Sequence, residues 1–344
     1  MATTLLSNTT LNLALDQLTP DAPGDLLTFL QGDATDADRL AEWAARLCYH
    51  STARMGTAPT FIQQRIREGH EDVVEHATVT FRVRGSSWPL WAKFVNRYVE
   101  VMPEQGFAGE GGIVKTLLSK NWVVTGNLRV WLDLLRQDPA LDVLPTLKAL
   151  APATFAEFPG DPVKRVLALY SRPIRVPSFR DGPLHVALLG ASVPDGLAVG
   201  DQLRHGAATF LIEGVSRTAT HQLVRHRLGS FSQSSQRYVS LAKGGWQPIM
   251  PPAVAANLGA RVIMQEHFAL AADHYGLLRE LGIRAEDARF LLPGAADSRL
   301  IMSLSLYGWQ IFLNQRRENA AQWEIRAAAN AIQAQLATLA SHLF

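Results

Sequence analysis

The run Arg225-His226-Arg227-Leu228-Gly229-Ser230-Phe231-Ser232-Gln233-Ser234-Ser235-Gln236-Arg237-Tyr238 sets an Arg-His-Arg triplet, a series of hydroxyls and a further arginine in one short stretch. Guanidinium forks hold phosphate oxygens bidentately, and hydroxyls fill the remaining acceptor positions, so the stretch suits a site built around phosphates. By residue type alone, a solvated basic helix end explains it as well. Gln222 and Arg225 are three apart on a predicted helix and share a face. Ser235 and Arg237 are two apart, and on an extended segment both point to one side. Glu286-Asp-Ala-Arg289-Phe-Leu-Leu-Pro293 reads as a helix end with a proline stop. Arg316 stands just before a last helix predicted from about Ala320 with Asn319 as its cap, beside backbone N–H groups that could hold an anion or a polarised carbonyl. The plainer reading of Arg316 is a salt bridge to Glu318 or Glu324.

Two stretches align without a gap at an offset of 129 residues, His76 under His205. His76-Ala-Thr-Val-Thr-Phe-Arg-Val-Arg-Gly85 lies over His205-Gly-Ala-Ala-Thr-Phe-Leu-Ile-Glu-Gly214, followed by Ser87 over Ser216 and Phe94-Val95 over Leu223-Val224. In each, apolar residues alternate with others (Val79, Phe81 and Val83; Ala208, Phe210 and Ile212), the period of a half-buried strand that ends at the glycine. Where the second stretch continues Arg225-His226-Arg227, the first has Asn96-Arg97-Tyr98. The chain thus reads as two related halves, residues 1–178 and 179–344, joined through a segment between Phe158 and Phe179 that carries four prolines. The second half opens with a strand over His185–Leu189. Leu147–Phe158 and Val254–Gly282 read as helical. In the last helix Ile325, Ala328, Ile332, Leu336, Leu339 and Leu343 form one apolar stripe, for the core or a subunit interface.

A length of 344 residues allows two domains. The net charge of +2 argues against a polyanion partner, which needs cations concentrated on one face; a small phosphorylated ligand fits the dispersed clusters better. A single cysteine, Cys48, excludes an intrachain disulfide and a cysteine-built zinc site and suits a reducing compartment. No lysine or arginine precedes Arg39 and no apolar run reaches membrane-span length, so the expected location is the cytoplasm, with no membrane or nucleic-acid partner.

The Arg-His-Arg triplet, seven residues, Ser235, one residue and Arg237 resemble the motif of flavin-dependent thymidylate synthases. Asp287-Ala-Arg289-Phe-Leu-Leu-Pro293 resembles that family's "ARxVLP" segment, and Arg316 with Ala321-Gln-Trp-Glu-Ile325 its "R…AQWEI" segment, at the family's spacing. In the first half, Ala44-Ala-Arg-Leu-Cys48-Tyr49, Gly69-His70-Glu-Asp-Val-Val-Glu75-His76 and Thr125-Gly-Asn127-Leu-Arg129 are similar to "AARxCY", "GHxSxxEH" and "TxNxR". As plain residues, His70 and His76 are equally well satisfied histidines, and two histidines are too few for zinc. The resemblance implies an α+β fold of helices packed on short antiparallel sheets. It further implies transfer of a methyl group to dUMP from methylenetetrahydrofolate, with FAD as cofactor and NADPH as reductant, and no cysteine nucleophile; Cys48 falls where the family has a serine or cysteine near the flavin.

Carried over position by position, the dUMP residues are Gln222, Ser235, Arg237, Arg289 and Arg316, with Arg316 and Ser235 catalytic, and no metal is implied. The FAD residues are His70, Asn127, Arg129, Arg225, His226 and Arg227. The halves depart from the pattern in complementary ways. The second has Ser305-Leu306-Tyr307 for Asn-x-Arg, Ile311 for the polar residue four positions later, and a short connection from Ser192 to Leu203 in place of the "GHxS" segment. The first lacks the charged triplet. Two chains are therefore expected to pair as a homodimer that mimics the family's homotetramer. Transfer of a hydroxymethyl group to a pyrimidine nucleotide is one alternative, with Tyr307 and Ile311 as the altered contacts; a non-catalytic nucleotide- or flavin-binding scaffold is another.

Overall fold

The computed structural model describes residues 2–14, 34–85, 99–103, 120–164, 174–238 and 247–344. Ser87, the Phe94–Tyr98 stretch and the middle of the proline-bearing joint lie outside them. In chain order the elements are β1 (Ala2–Asn8), β2 (Thr10–Leu11), α1 (Asp36–Cys48), α2 (Ala58–Arg67), a 3-10 segment (Glu71–His76), β3 (Thr78–Arg84), β4 (Val99–Pro103), β5 (Asn121–Asn127), α3 (Leu128–Gln137) and α4 (Leu144–Leu150). There follow β6 (Phe179–Asp181), β7 (Leu184–Ser192), α5 (Val199–His205), β8 (Ala207–Ser216), α6 (Arg217–Leu223), β9 (Ser230–Gln233), α7 (Leu258–Glu280), β10 (Asp297–Ser305), α8 (Leu306–Arg316) and α9 (Trp323–Leu339). The fold is α+β, as expected, with antiparallel pairing throughout both sheets.

One sheet has the order β1-β3-β5-β4, and the other β2-β7-β8-β10-β9 with β6 beside β7. The path β1-β3-β5-β4 therefore repeats as β7-β8-β10-β9, and the register repeats with it. Thr80 faces Thr125 in the first sheet, and Thr209 faces Ser303 in the second. Both sheets carry a bulge at the corresponding place, between Leu5 and Ser7 and between Leu188 and Gly190. The agreement extends to side chains. Trp131 Nε1 donates to the Val79 carbonyl (3.2 Å) and Trp309 Nε1 to that of Ala208 (2.9 Å). Each indole sits edge-on to a phenylalanine of the neighbouring strand, Phe81 or Phe210, at 5.1 Å.

The sheets meet along a buried polar seam, and there the correspondence becomes reciprocal. His76 Nδ1 bonds Ser303 Oγ (2.8 Å) while His205 Nδ1 bonds Thr125 Oγ1 (2.7 Å). Thr209 Oγ1 donates to the His76 carbonyl (2.9 Å), and Thr80 Oγ1 to the His205 carbonyl (3.3 Å). Each segment's histidine is thus held by the other's strands, as across a two-fold axis. Thr80 is for this reason fully buried, so the polar face of β3 is covered there by the second sheet and not left to solvent as its alternation predicts, while Arg84 at the strand's end is exposed.

The apolar residues distribute around this seam. Val79, Phe81, Val83, Trp122 and Val124 face a core closed by α2, α3 and α4. Phe210, Ile212, Leu300 and Met302 face a second core closed by α8 and α9, where the stripe Ile325, Ala328, Ile332 and Leu336 is buried. α1 serves both. Its Ala37, Ala41 and Ala45 join the first core, while Leu40, Trp43, Ala44 and Leu47 press on Leu189, Leu211 and Ile301 of the second sheet. Burying side chains such as Leu40 and Leu47 contributes roughly 1.5–3 kcal/mol each.

Several local expectations are corrected. β8 does not end at Gly214 but runs through it. Gly214 (φ +67°) is the extra residue where the register shifts opposite Ser298 and Arg299, and an added Cβ there would fall 1.7 Å from the Pro183 carbonyl oxygen. α9 starts at Trp323, not near Ala320, because the Gln322 side chain and not Asn319 caps it by accepting from Ile325 N. The helix predicted over Leu147–Phe158 spans Leu144–Leu150 and then gives way to turns.

The seam sets two expectations for stability. Thr125→Val removes the partner of His205 Nδ1, whose Nε2 already lacks one. Leaving such a buried group unsatisfied costs about 1–3 kcal/mol, measurable by urea unfolding at pH 7. Both histidines are neutral: burial lowers His76 to about 3, and burial with the nearby Arg204 charge lowers His205 to about 4. Unfolded histidines titrate near 6.5, so below that pH the unfolded chain takes up protons that the folded chain refuses. Their stabilisation is full above pH 6.5 and is lost as pH falls. Asp38, raised to about 6 by burial, opposes the trend between about pH 4 and 6. Unfolding free energy is expected to decline from pH 6.5 towards 4.5, less steeply in His205→Gln.

Candidate functional site

Asn127 ends β5 and caps α3, its Oδ1 accepting from Val130 N (3.0 Å). That fixes the side chain at the sheet's edge and leaves its amide nitrogen without a partner among the described residues. Arg129 follows within the first turn of α3. Its guanidinium lies 3.6 Å from Glu71, 3.6 Å from Glu75 and 3.9 Å from Asp133, contacts looser than a close ion pair. Glu75 Oε2 also accepts from Ser230 Oγ (2.7 Å), on the strand that follows the Arg-His-Arg triplet. Leu228 and Ser230 line one cleft with Asn127. The first segment's Asn127 and Arg129 thus meet the loop that carries Arg227.

The triplet is positioned by α6. Ser216 caps that helix through Ala219 N, and Glu324 accepts from both Ser216 N (2.6 Å) and Ser216 Oγ (2.7 Å). The glutamate of the Gln-Trp-Glu run thereby anchors the triplet's helix, a role the sequence reading missed. α6 stops at Leu223, so Arg225 sits in the following turn and does not share a helix face with Gln222 as predicted. Arg225 and Arg227 are exposed and have no ion-pair partner among the described residues. His226 packs edge-on against Phe312 (4.9 Å), and its Nε2 accepts from Arg316 Nε (2.9 Å). Burial, and secondarily the Arg316 charge, lowers His226 to about 4, so near neutrality the ring is the neutral acceptor that this bond requires. Arg316 itself is the last residue of α8, not a residue at the start of the final helix. Its terminal N–H groups have no hydrogen-bond partner among the described residues.

Ser235 is tied to the first segment, its backbone N donating to the Cys48 carbonyl (2.9 Å). Beside it His50 bonds Ser234, and the Tyr49 and Tyr238 rings lie 5.3 Å apart. Arg237 follows in a turn, its backbone N donating to Ser235 Oγ (3.3 Å), and not on an extended segment as expected. Arg237 Nε donates to Glu286 Oε2 (2.6 Å), and Arg289 Nε to the Glu286 carbonyl (3.0 Å). Glu286 thus gathers two of the predicted nucleotide residues, and its bond to Arg237 holds its carboxyl below the usual range. Arg217, overlooked in the sequence, belongs beside them. Burial and then the Arg289 charge depress its guanidinium, and Arg217 N and Thr218 N strap it to the loop after Arg289 through Ala296 O (2.8 Å) and Gly294 O (2.9 Å).

Other candidates are less engaged. His70 is exposed, and neither it nor Gln222 makes a side-chain hydrogen bond among the described residues. Cys48 is pushed up to about 11 by burial and the Asp72 charge, so it is a thiol at neutral pH and a poor nucleophile. Among the described residues no group of three or more His, Cys, Asp or Glu could hold a metal, and no helix is long and apolar enough to cross a membrane.

The His226–Arg316 contact is directly testable. In an NMR pH titration His226 is expected to titrate near 4 in the native chain. Arg316→Ala, which removes the neighbouring positive charge, is expected to raise that value towards 6.5.

Flavin-dependent thymidylate synthases are similar over part of the chain. That of Geobacter sulfurreducens is 44% identical over 127 residues, covering 37% of this chain and 55% of the relative. That of Nitratidesulfovibrio vulgaris is 39% identical over 164 residues, covering 45% and 66%. The chain thus spans between about half and two thirds of the curated relatives it matches. A crystal structure of Thymidylate Synthase X (ThyX) from Helicobacter pylori with FAD and dUMP is 25% identical over 42% of this chain and 74% of that one, with a TM-score of 0.34. The profile of the thymidylate synthase complementing proteins, Thy1, matches residues 30–102 and 198–340, more than half of the sequence. The chain belongs to the Thy1 family, the thymidylate synthase complementing proteins.

Proposed function

We propose that the chain is a flavin-dependent thymidylate synthase, which converts dUMP to dTMP with methylenetetrahydrofolate as carbon donor and NADPH as reductant, in the cytoplasm. Residues 1–178 and 179–344 act as two related halves, each supplying what the other lacks. One observation carries the reading: Asn127 of the first half lines the same cleft as Leu228 and Ser230, directly after the triplet that only the second half retains, and Glu75 links Ser230 to Arg129.

The residues fit a flavin dinucleotide. Arg225 and Arg227 are cations without carboxylate partners among the described residues, suited to a diphosphate. The Asn127 amide has donors free at the cleft wall, and Arg129 is held loosely enough to reorient. Bound FAD, once reduced, supplies the hydride that completes the new methyl group. Ser235, Arg237 and Arg289 hold dUMP and its phosphate, with Gln222 at the end of α6 and Arg217 beside Arg289. The phosphate competes with Glu286 for Arg237. Arg316 presents its terminal N–H groups to the uracil edge, where negative charge develops during attack at carbon five, and neutral His226 fixes the guanidinium by accepting from Nε.

A second copy of the chain completes the assembly. α7 exposes Ile263, Leu270 and Leu277 at heptad spacing, continued by Leu281 and by Phe290, which is 84% exposed. An exposed apolar stripe of that kind suits an interface, and it supports a homodimer.

Anaerobic incubation with dUMP, methylenetetrahydrofolate, FAD and NADPH is expected to yield dTMP by mass spectrometry. Arg316→Ala is expected to lower kcat by about a hundredfold or more. A hydroxymethyl product would replace this reading with the other transfer reaction, and unchanged dUMP would refute it.

A further inference from the structure

A cleft of about 290 Å³ lies where the two segments meet, and its walls come in corresponding pairs. Asn127 is matched by Ser305 and Ser230 by Glu100, each at the same register position in the other sheet, and Glu75 by Arg204, each directly before its seam histidine. The cleft therefore has two ends related by the same two-fold correspondence as the histidine seam. An undifferentiated pair of segments would offer a flavin two equivalent positions, one at each end.

The chemistry of the two ends has diverged. At the first, Ser230 donates to Glu75, Asn127 has amide donors free, and Arg129 lies only loosely among carboxylates. At the second, the position of Glu75 is taken by Arg204, that of Ser230 by Glu100 and that of Arg129 by Tyr307. These three satisfy one another. Arg204 NH1 lies 3.4 Å from Glu100 Oε1, and its guanidinium lies 5.2 Å from the centre of the Tyr307 ring. Ser305 accepts from Gly308 N through its hydroxyl in capping α8, and in place of the two amide donors of Asn127 it has a single O–H. Among the described residues lining this end the one cation, Arg204, faces an aromatic ring and a carboxylate. An anionic ligand would have to break that pair and leave Glu100, already raised by burial, without its counter-charge.

We propose that Arg204, Glu100 and Tyr307 close the second of two corresponding flavin positions, so that each chain binds one flavin, at the Asn127–Arg129 end. The inference rests on the flavin-dependent reading above and adds the number and place of the sites. Its consequence is that the two segments have separate tasks, one end of the cleft for the cofactor and the other for holding the segments together.

The test is a titration of the flavin-free full-length chain with FAD, followed by calorimetry and by the change in flavin absorbance. One equivalent per chain is expected, whatever the oligomeric state; two equivalents would overturn the inference and leave the flavin-dependent reading intact. No binding at all would remove both. The place of the site is read from two variants. Arg129→Leu is expected to weaken binding roughly tenfold or more, whereas Tyr307→Leu is expected to leave the single equivalent and its Kd within about twofold. The reverse pattern would put the flavin at the Arg204 end and overturn the assignment. In the variant carrying E100S, R204E, S305N and Y307R, which gives the second end the residues of the first, the ratio is expected to rise above one.

Discussion

The reciprocal bonding of His76 and His205 across the two sheets is the constraint that the rest of the structure depends on. Each imidazole is buried, each bonds a hydroxyl of the opposite segment, and each carries a backbone carbonyl that accepts from an opposite threonine. Buried polar groups specify geometry more sharply than apolar contact does, because any slip of register leaves several of them without partners. A one-residue shift of β3 against β5 would turn Thr80 away from both Thr125 and the His205 carbonyl. The seam thus locks the register within each sheet and the placement of one sheet on the other at once. It also ends at the cleft: Thr125 and Ser303, the hydroxyls that receive the two histidines, line its walls.

From that frame the electrostatics of the site follow. Cations whose role is structural have close partners: Arg46 Nε donates to Glu42 at 2.7 Å within α1 and the guanidinium lies 4.1 Å from the centre of the Phe61 ring. Arg225 and Arg227 have none among the described residues, and Arg217 is depressed by burial and then by the Arg289 charge. Like charges kept together at partly buried positions raise the energy of the empty chain, and an anion that enters among them lowers it. His226 shows the same economy in the opposite sense. Kept neutral, it accepts a bond from Arg316 and adds no competing positive charge.

Much of this was legible in the sequence where a pattern has one physical solution. The alternation in Val79–Val83 and Ala208–Ile212 located two central strands, the constant offset of 129 residues anticipated their equivalent places, and the stripe from Ile325 to Leu336 was core. The failures share a cause: they concern polar residues whose role depends on a partner distant in the chain. Arg316, expected beside the start of the last helix, ends the preceding one, and that last helix begins later because Gln322, not Asn319, supplies its cap. Glu324 was read as a salt-bridge partner for Arg316, yet it bonds Ser216, 108 residues away. Arg217 shows nothing in the sequence that separates it from a surface cation. Thr80, read as an outward-facing strand residue, is buried because the other face of its strand meets a second sheet.

The seam also shows how correspondence breaks. His76 Nε2 bonds Ser232 Oγ at 2.9 Å, but His205 Nε2 has no partner among the described residues. By register, Met102 on β4 occupies the place that Ser232 occupies on β9. One segment has kept a hydroxyl and the other has taken a thioether that cannot hydrogen-bond well. The same strands carry Glu100 and Ser230, the pair that separates the two ends of the cleft. Apart from Asn127 and Ser305, the last residues of β5 and β10, the sheet residues that differ at the cleft lie on β4 and β9, the edge strand of each path, while the seam hydroxyls of β3–β5 and β8–β10 stay alike. That distribution has a physical reason. A central strand pairs on both edges and is covered on both faces along the seam, so a change there disturbs the seam and a core together. The edge strand has one paired neighbour, and there a substitution changes the cleft while leaving the register intact.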